Sequence, residues 1–189
     1  MSNEYPYASM RDSFDLSAYF VVGPEDCKGR PLTDVVDQAL HGGATFIQLR
    51  AKEADASELT DMARDIAQII EDNEKSDSVA FVIDDRADVV WQVDGVHIGQ
   101  TDMEPREARA LLGDEAIVGL SAETESLVRL INELPDGCID YIGAGPLHVS
   151  TTKPEASVGG NDGSGKTLDA AQINTICVAS EFPVVVGGG

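Results

Sequence analysis

The chain has 189 residues, 42% of them apolar, enough for one sizeable core. Its 34 acidic residues against 13 basic ones give a formal charge of -21, which repels DNA, RNA and anionic membranes because each must be met by clustered cations. The three cysteines, Cys27, Cys138 and Cys177, are odd in number and lack CxxC spacing, so neither a disulfide framework nor a zinc site is predicted.

Residues 1–17 are polar and lack the basic-then-apolar order of a signal peptide. They are read as a loose N-terminal arm, with residues 18–189 as the folded domain. No run approaches the roughly 18 apolar residues of a membrane span. Cys138 and Cys177 lie in apolar runs and are expected as small core residues, and a reducing cytoplasm fits.

From residue 18 onward, short apolar runs recur: AYFVV (18–22), ATFIQL (44–49), VAFVI (79–83), GVHIG (95–99), AIVGLS (116–121), IDYIGAG (139–145) and FPVVV (182–186). Each has the length and β-branched or aromatic content of a buried strand. Between them, residues 32–43, 57–73, 105–113, 125–134 and 167–180 carry apolar residues at helical spacing. The connection over 86–94 is too short for a long helix. Alternating strand and helix imply parallel pairing with right-handed crossovers. An open doubly wound sheet and a closed (β/α)8 barrel both satisfy this. Polar groups follow nearly every strand, as QLRAK, DD, GQTD, Ser121 and GPLHVSTTK. Such groups all round favour a barrel mouth over the single crevice of an open sheet.

The stretch GNDGSGKT (160–167) fits the phosphate-binding pattern G-x-x-x-x-G-K-[ST]. The pattern needs a strand immediately before it, and STTKPEASVGG is no strand. It is read as a Gly/Ser/Asp loop leading into a helix, with Lys166 a solvated charge.

Chemistry concentrates elsewhere. Gln48 and Arg50 alternate onto one side of the second strand, and Lys52 follows. A guanidinium fork and a mobile ammonium suit a diphosphate. The bland alternative pairs Arg50 and Lys52 with Glu53 or Asp55 on the surface. Asp84 and Asp85 end the third strand and Asp102 follows the fourth. With neighbouring strands about 4.8 Å apart, Asp85 and Asp102 could share magnesium, which takes one or two carboxylates and fills its shell with water and phosphate oxygens. His97 lies within the fourth strand and is expected as a packed, hydrogen-bonded imidazole. Ser150, Thr151, Thr152 and Lys153 offer three hydroxyls and a cation, the elements of a phosphate clamp; His148 is expected as surface.

GGATFIQLRAK, IDDRADV, DGVHIGQTD, the serine of GLSAET, DYIGAGPL with STTK, and PVVVGGG occur in this order, each at a strand end. Together they resemble the thiamine-phosphate synthase family, over about Tyr19 to Gly189. The resemblance implies a (β/α)8 barrel enzyme that joins an aminopyrimidine methyl diphosphate to a thiazole phosphate, releasing diphosphate. It implies that Gln48, Arg50 and Lys52 hold the pyrimidine diphosphate and that Asp85 and Asp102 hold magnesium. Ser121 and Lys153 would contact the diphosphate. Ser150, Thr151, Thr152 and the Gly189 backbone would contact the thiazole phosphate.

Three departures stand out. Asp84 occupies a position where the family usually has Asn, and its charge is expected to repel diphosphate unless protonated or metal-bound. Ser150 replaces a Thr. The sequence stops just after the seventh strand, so the barrel is expected to lack strand 8 and the last helices, as a truncated record. Open strand edges invite pairing with another chain, compatible with a homo-oligomer. Two other readings are a thiazole tautomerase of the same fold, disfavoured by the diphosphate-binding set, and a non-catalytic phosphate-binding barrel remnant.

Overall fold

The alternation of strand and helix is realised element by element in the computed structural model, which describes residues 9–89, 93–148 and 167–188. In chain order the elements are β1 (Tyr19–Val22), α1 (Leu32–His41), β2 (Phe46–Leu49), α2 (Ala56–Asp72), β3 (Ala80–Asp84), β4 (Gly95–Ile98), α3 (Pro105–Leu112), β5 (Ile117–Ser121), α4 (Glu125–Ile131), β6 (Tyr141–Ala144), α5 (Ala170–Ala179) and β7 (Val184–Val186). Among its described residues the short connection after β3 holds a 3₁₀ turn, Ala87–Val89. Helix starts follow local chemistry. The Asp55 carboxylate accepts the Ser57 and Glu58 N–H groups at α2 while Glu58 reaches back to the Asp55 N–H, and Asp169 with Gln172 does the same at α5. Among the described residues no helix is long and apolar enough to cross a membrane.

The seven strands among the described residues are all parallel and lie in sequence order from β1 to β7. That order excludes the doubly wound sheet, which reverses at a switch point. Curvature is shown by side chains. The Tyr19 hydroxyl on β1 lies 2.9 Å from the Tyr141 hydroxyl on β6. Five strand spacings of about 4.8 Å would hold them more than 20 Å apart in a flat sheet. The sheet therefore curls into a nearly closed barrel.

Strand alternation divides the core. Ile47, Leu49, Phe81 and Ile83 point outward and meet Val36, Leu40, Leu59, Ala63 and Ile66 of α1 and α2. Val96, Ile98, Val118, Leu120 and Ile142 pack outward with Ala108, Val128, Ile131 and Ile176 of α3 to α5. Inside, Phe46, Val82, Ile117 and Tyr141 fill the lower lumen.

Residues 9–17 depart from the expected loose arm. Phe14 sits edge-on to Phe46 and Tyr141, with centroids 5.6 and 5.8 Å away, and so plugs the lumen from below. Asp140 fastens the segment, accepting the Met10 N–H at 2.7 Å and the Ser9 hydroxyl at 3.1 Å on one oxygen. Its other oxygen accepts the Val118 N–H and a 2.6 Å charge-assisted bond from Arg109, both residues being fully buried. Residues 9–17 supply the apolar cover that the barrel floor needs.

The cysteines also divide. Cys27 and Cys138 are buried, whereas Cys177 is exposed. The apolar run of α5 has no single face: Ile176 points into the core, and Cys177 and Val178 point away from it.

Candidate active site

At the C-terminal ends of β2, β3 and β4 the inward positions change from apolar to charged. Gln48 and Arg50 project from one face of β2 and its end, both buried. Gln48 Nε2 donates to Asp84 Oδ1 at the end of β3. Arg50 Nε lies 3.3 Å from Asp84 Oδ2. Lys52 Nζ lies 3.5 Å from Asp85 Oδ2. Arg50 and Lys52 thus face the aspartates of the cluster. Asp55 is occupied as the cap of α2.

Asp85 adopts a left-handed backbone with φ of 61°, a conformation that Asp tolerates better than most residues. Its N–H donates to the His97 carbonyl at 2.8 Å. Its carboxyl is pushed up to about 6, first by burial, then by the charge of Asp84 and by Asp102, which sits close enough to share a proton. Lys52 offsets part of this rise. Asp102 is anchored by the Gly99 N–H at 2.8 Å. A Cβ on Gly99 would lie 2.5 Å from Asp102 Oδ2, so the glycine leaves room for that carboxylate.

Two converging carboxylates, with the proton affinity of Asp85 raised, form a site of hard oxygen donors short of positive charge. Among the described residues no group of three or more His, Cys, Asp or Glu is arranged to hold a metal ion by itself. This donor set fits magnesium, which needs few protein oxygens, and not zinc, which prefers a closed nitrogen and sulfur shell.

Across the lumen, His97 is packed and hydrogen-bonded, as expected. Its Nδ1 lies 3.0 Å from the Tyr141 hydroxyl and its Nε2 lies 3.0 Å from Ser121 Oγ. Ser121, at the end of β5, is also held by Gln100, whose Nε2 donates to the Ser121 carbonyl. Two glycines make space for these side chains. A Cβ on Gly119 would fall 2.2 Å from the Tyr141 ring, and one on Gly143 would fall 2.7 Å from His97 Cε1. Just beyond β6 and β7, Leu147 N–H donates to the Gly187 carbonyl at 3.1 Å and Gly187 N–H to the Ala144 carbonyl at 2.8 Å.

Gln48, Arg50, Lys52, Asp84, Asp85, Asp102 and Ser121 are therefore gathered at one end of the barrel. Ser150, Thr151, Thr152, Lys153 and Gly189 lie outside the described residues, as does the glycine-rich stretch 160–166. His148 is exposed, as expected. A cavity at the opposite end is lined by Asp12, Asp15, Asp77, Asp94 and Glu115 among apolar and hydroxyl groups, with no cation, and so disfavours phosphate. Sequence reasoning missed Tyr19 and Tyr141, which tie His97 to Gln48. Their signal was a tyrosine at an inward strand position, where a buried hydroxyl needs a partner.

A parallel barrel with acid and base groups gathered at the C-terminal strand ends defines an enzyme of the (β/α) barrel class, where catalysis resides at that face. Comparison with known proteins narrows the class. The thiamine monophosphate synthase family model matches residues 18–189. The chain is 38% identical over 185 residues to the thiamine-phosphate synthase of Corynebacterium jeikeium, covering 95% of this chain and 78% of that protein. It is 38% identical over 149 residues to the corresponding protein of Solidesulfovibrio magneticus, covering 78% of this chain and 67% of the relative. Among solved structures, thiamine phosphate pyrophosphorylase from Pyrococcus furiosus superposes with a TM-score of 0.71 at 26% identity, covering 92% of this chain and 76% of that one. The chain belongs to the thiamine monophosphate synthase family.

Proposed function

We propose that this chain is a thiamine-phosphate synthase. It joins 4-amino-2-methyl-5-pyrimidinylmethyl diphosphate to a thiazole phosphate and releases diphosphate. The observation that carries the reading is the convergence of Gln48, Arg50, Lys52, Asp84, Asp85, Asp102 and Ser121 on one rim, in a member of this family.

In the reaction the methylene–oxygen bond of the pyrimidine substrate breaks, and its electron pair leaves with the diphosphate. The aminopyrimidine delocalises the resulting cation. The thiazole nitrogen, which carries no proton, then bonds to the methylene carbon. No protein nucleophile or general base is required. The task of the protein is to orient two substrates and to stabilise charge on the departing diphosphate.

Lys52 supplies a mobile cation, and Lys153 would supply a second. Arg50 is neutralised in part by Asp84, so it acts more as a donor fork than as a full positive charge. This pairing explains how Asp84 is tolerated where the family has Asn: Arg50 and Gln48 both meet its oxygens. Ser121 would contact the diphosphate from β5, and Ser150 to Thr152 with the Gly189 backbone would hold the thiazole phosphate. Asp85 and Asp102 would hold magnesium, which when bound neutralises diphosphate oxygens as the carbon–oxygen bond lengthens. Nothing in the matches reported above favours a thiazole tautomerase or a non-catalytic barrel.

The test is to mix purified protein, magnesium and both substrates and to follow thiamine phosphate by chromatography. Turnover that is lost in Lys52→Ala and Asp102→Ala supports the reading. Binding of both substrates without any product would sink it.

A further inference from the structure

We propose that the polar side chains inside the barrel form one proton-ordered chain, anchored at Asp84, in which neutral His97 carries its proton on Nδ1 and positions the Ser121 hydroxyl in the ligand-free protein. Six side chains link β5 to β3 through the lumen: Ser121, His97, Tyr141, Tyr19, Gln48 and Asp84.

The order follows from the acceptor at one end. At that end the Asp84 carboxyl accepts through Oδ1, and Arg50 Nε faces its Oδ2 at 3.3 Å. Gln48 must therefore turn its amide nitrogen to Asp84, which leaves Oε1 toward Tyr19 at 2.6 Å. An amide oxygen only accepts, so Tyr19 spends its proton on Gln48. Across the 2.9 Å contact between the two hydroxyls, Tyr141 must then donate to Tyr19. Burial and the charge of Asp84 push both phenols above their ordinary range, so each keeps its proton. With the Tyr141 proton spent, its oxygen accepts from His97 Nδ1 at 3.0 Å. Nε2 of the neutral ring is then an acceptor, and Ser121 donates to it at 3.0 Å.

His97, Tyr141 and Tyr19 are thus positioning residues, which act through Ser121 and Gln48 on opposite walls of the mouth. Asp84 gives the chain its direction. An asparagine there offers both a donor and an acceptor and leaves the Gln48 amide free to turn. Loss of the Tyr141 hydroxyl removes the acceptor at Nδ1, lets the proton move to Nε2 and reverses the bond to Ser121.

The chain has three histidines, so ¹⁵N-histidine labelling reads His97 directly, with His41→Gln and His148→Gln assigning the two exposed rings. In the wild-type protein near neutral pH, Nδ1 is expected to show a protonated-type shift and Nε2 an unprotonated-type shift. In Tyr141→Phe, and in Asp84→Asn, the pattern is expected to invert or become mixed. A proton on Nε2 of wild-type His97 would overturn the proposal, even if no variant folds. An unchanged tautomer in both folded variants would also overturn it. The kinetic arm rests on the synthase reading: kcat of Tyr141→Phe should fall about ten-fold, as for loss of an outer partner that orients a contact residue, with KM for the pyrimidine diphosphate little changed. Unchanged kcat with an inverted tautomer would overturn the positioning role. Absence of turnover by the wild type would count against the synthase reading alone, because the tautomer is read without substrate.

Discussion

Arg50 and Asp84 form an ion pair inside the barrel, 3.3 Å apart, with side chains that are only 9% and 3% exposed. A cation expected to serve the substrate is therefore already facing a carboxylate of the protein. Removing two charges from water is costly unless each finds a partner, and here each partner requires the other.

Asp84→Asn separates the two consequences of this pairing. The variant should lose about 1–3 kcal/mol of stability, because a buried charge has lost its counter-charge but keeps an acceptor nearby. It should at the same time bind inorganic diphosphate with magnesium several-fold more tightly, since the cluster becomes more positive by one charge. Urea unfolding and titration calorimetry measure the two effects. Weaker diphosphate binding in a folded variant would show that Asp84 helps to hold the ligand.

The raised carboxyl of Asp85 predicts how the proposed magnesium site should respond to pH. Its folded-state value of about 6 lies above the ordinary 3.8. The ionised form therefore costs stability above about 6, and that cost is absent below the ordinary value. A bound cation reverses the cost, so its stabilising effect should be full above about pH 6 and lost as the pH falls toward 4. Thermal unfolding with magnesium or with EDTA, at about pH 7.5 and about pH 5, should show a gain only at the higher pH. Asp102→Asn should abolish that gain. An equal gain at both values would contradict the two-carboxylate site.

Asp140→Ala should be among the most destabilising changes at the lower end of the barrel. It strands the fully buried Arg109 and unties the arm at Ser9 and Met10. Breaking a buried pair in this way costs about 3–5 kcal/mol. Amide exchange should report loosening of residues 9–17 in a variant that still folds. A loss below about 1 kcal/mol would mean that the segment is held by the apolar contacts of Met10, Phe14 and Leu16 and not by Asp140.

Gly119→Ala tests the space reserved for Tyr141. The added methyl would fall 2.2 Å from the ring, on a fully buried side chain that cannot swing clear. Overpacking of this kind costs about 1–3 kcal/mol, and the displaced hydroxyl should also disturb His97. Denaturation midpoints, with the His97 imidazole shifts, measure both. A neutral substitution would show that the lumen yields more readily than its packing suggests.

Much of this molecule is written in local pattern. Period-two alternation placed Gln48 and Arg50 on one face of β2, because strand side chains alternate whatever surrounds them. Helical spacing in 57–73 and the Asp55 cap set α2 through contacts made within a few residues. The approach of Asp85 to Asp102 was likewise foreseeable, since parallel neighbours share a register and end at the same rim.

Pairings between distant strands were not legible. The sequence shows Arg50 as a cation but not that Asp84 meets it, and it shows His97 as a strand histidine but not that Tyr141 and Ser121 bracket it. The arm looked unstructured because Met10, Phe14 and Leu16 gain their apolar partners only when the barrel floor exists. Cys177 looked buried because its neighbours are apolar, yet only the docking of α5 decides which side of that helix meets the core. Local sequence by itself determined the elements, their order and the chemical character of each strand end, because those depend on neighbours along the chain. Tertiary structure alone decided which charges neutralise one another and how the lumen hydroxyls connect, because closure of the sheet brings β1 against β6 and lets those groups share protons.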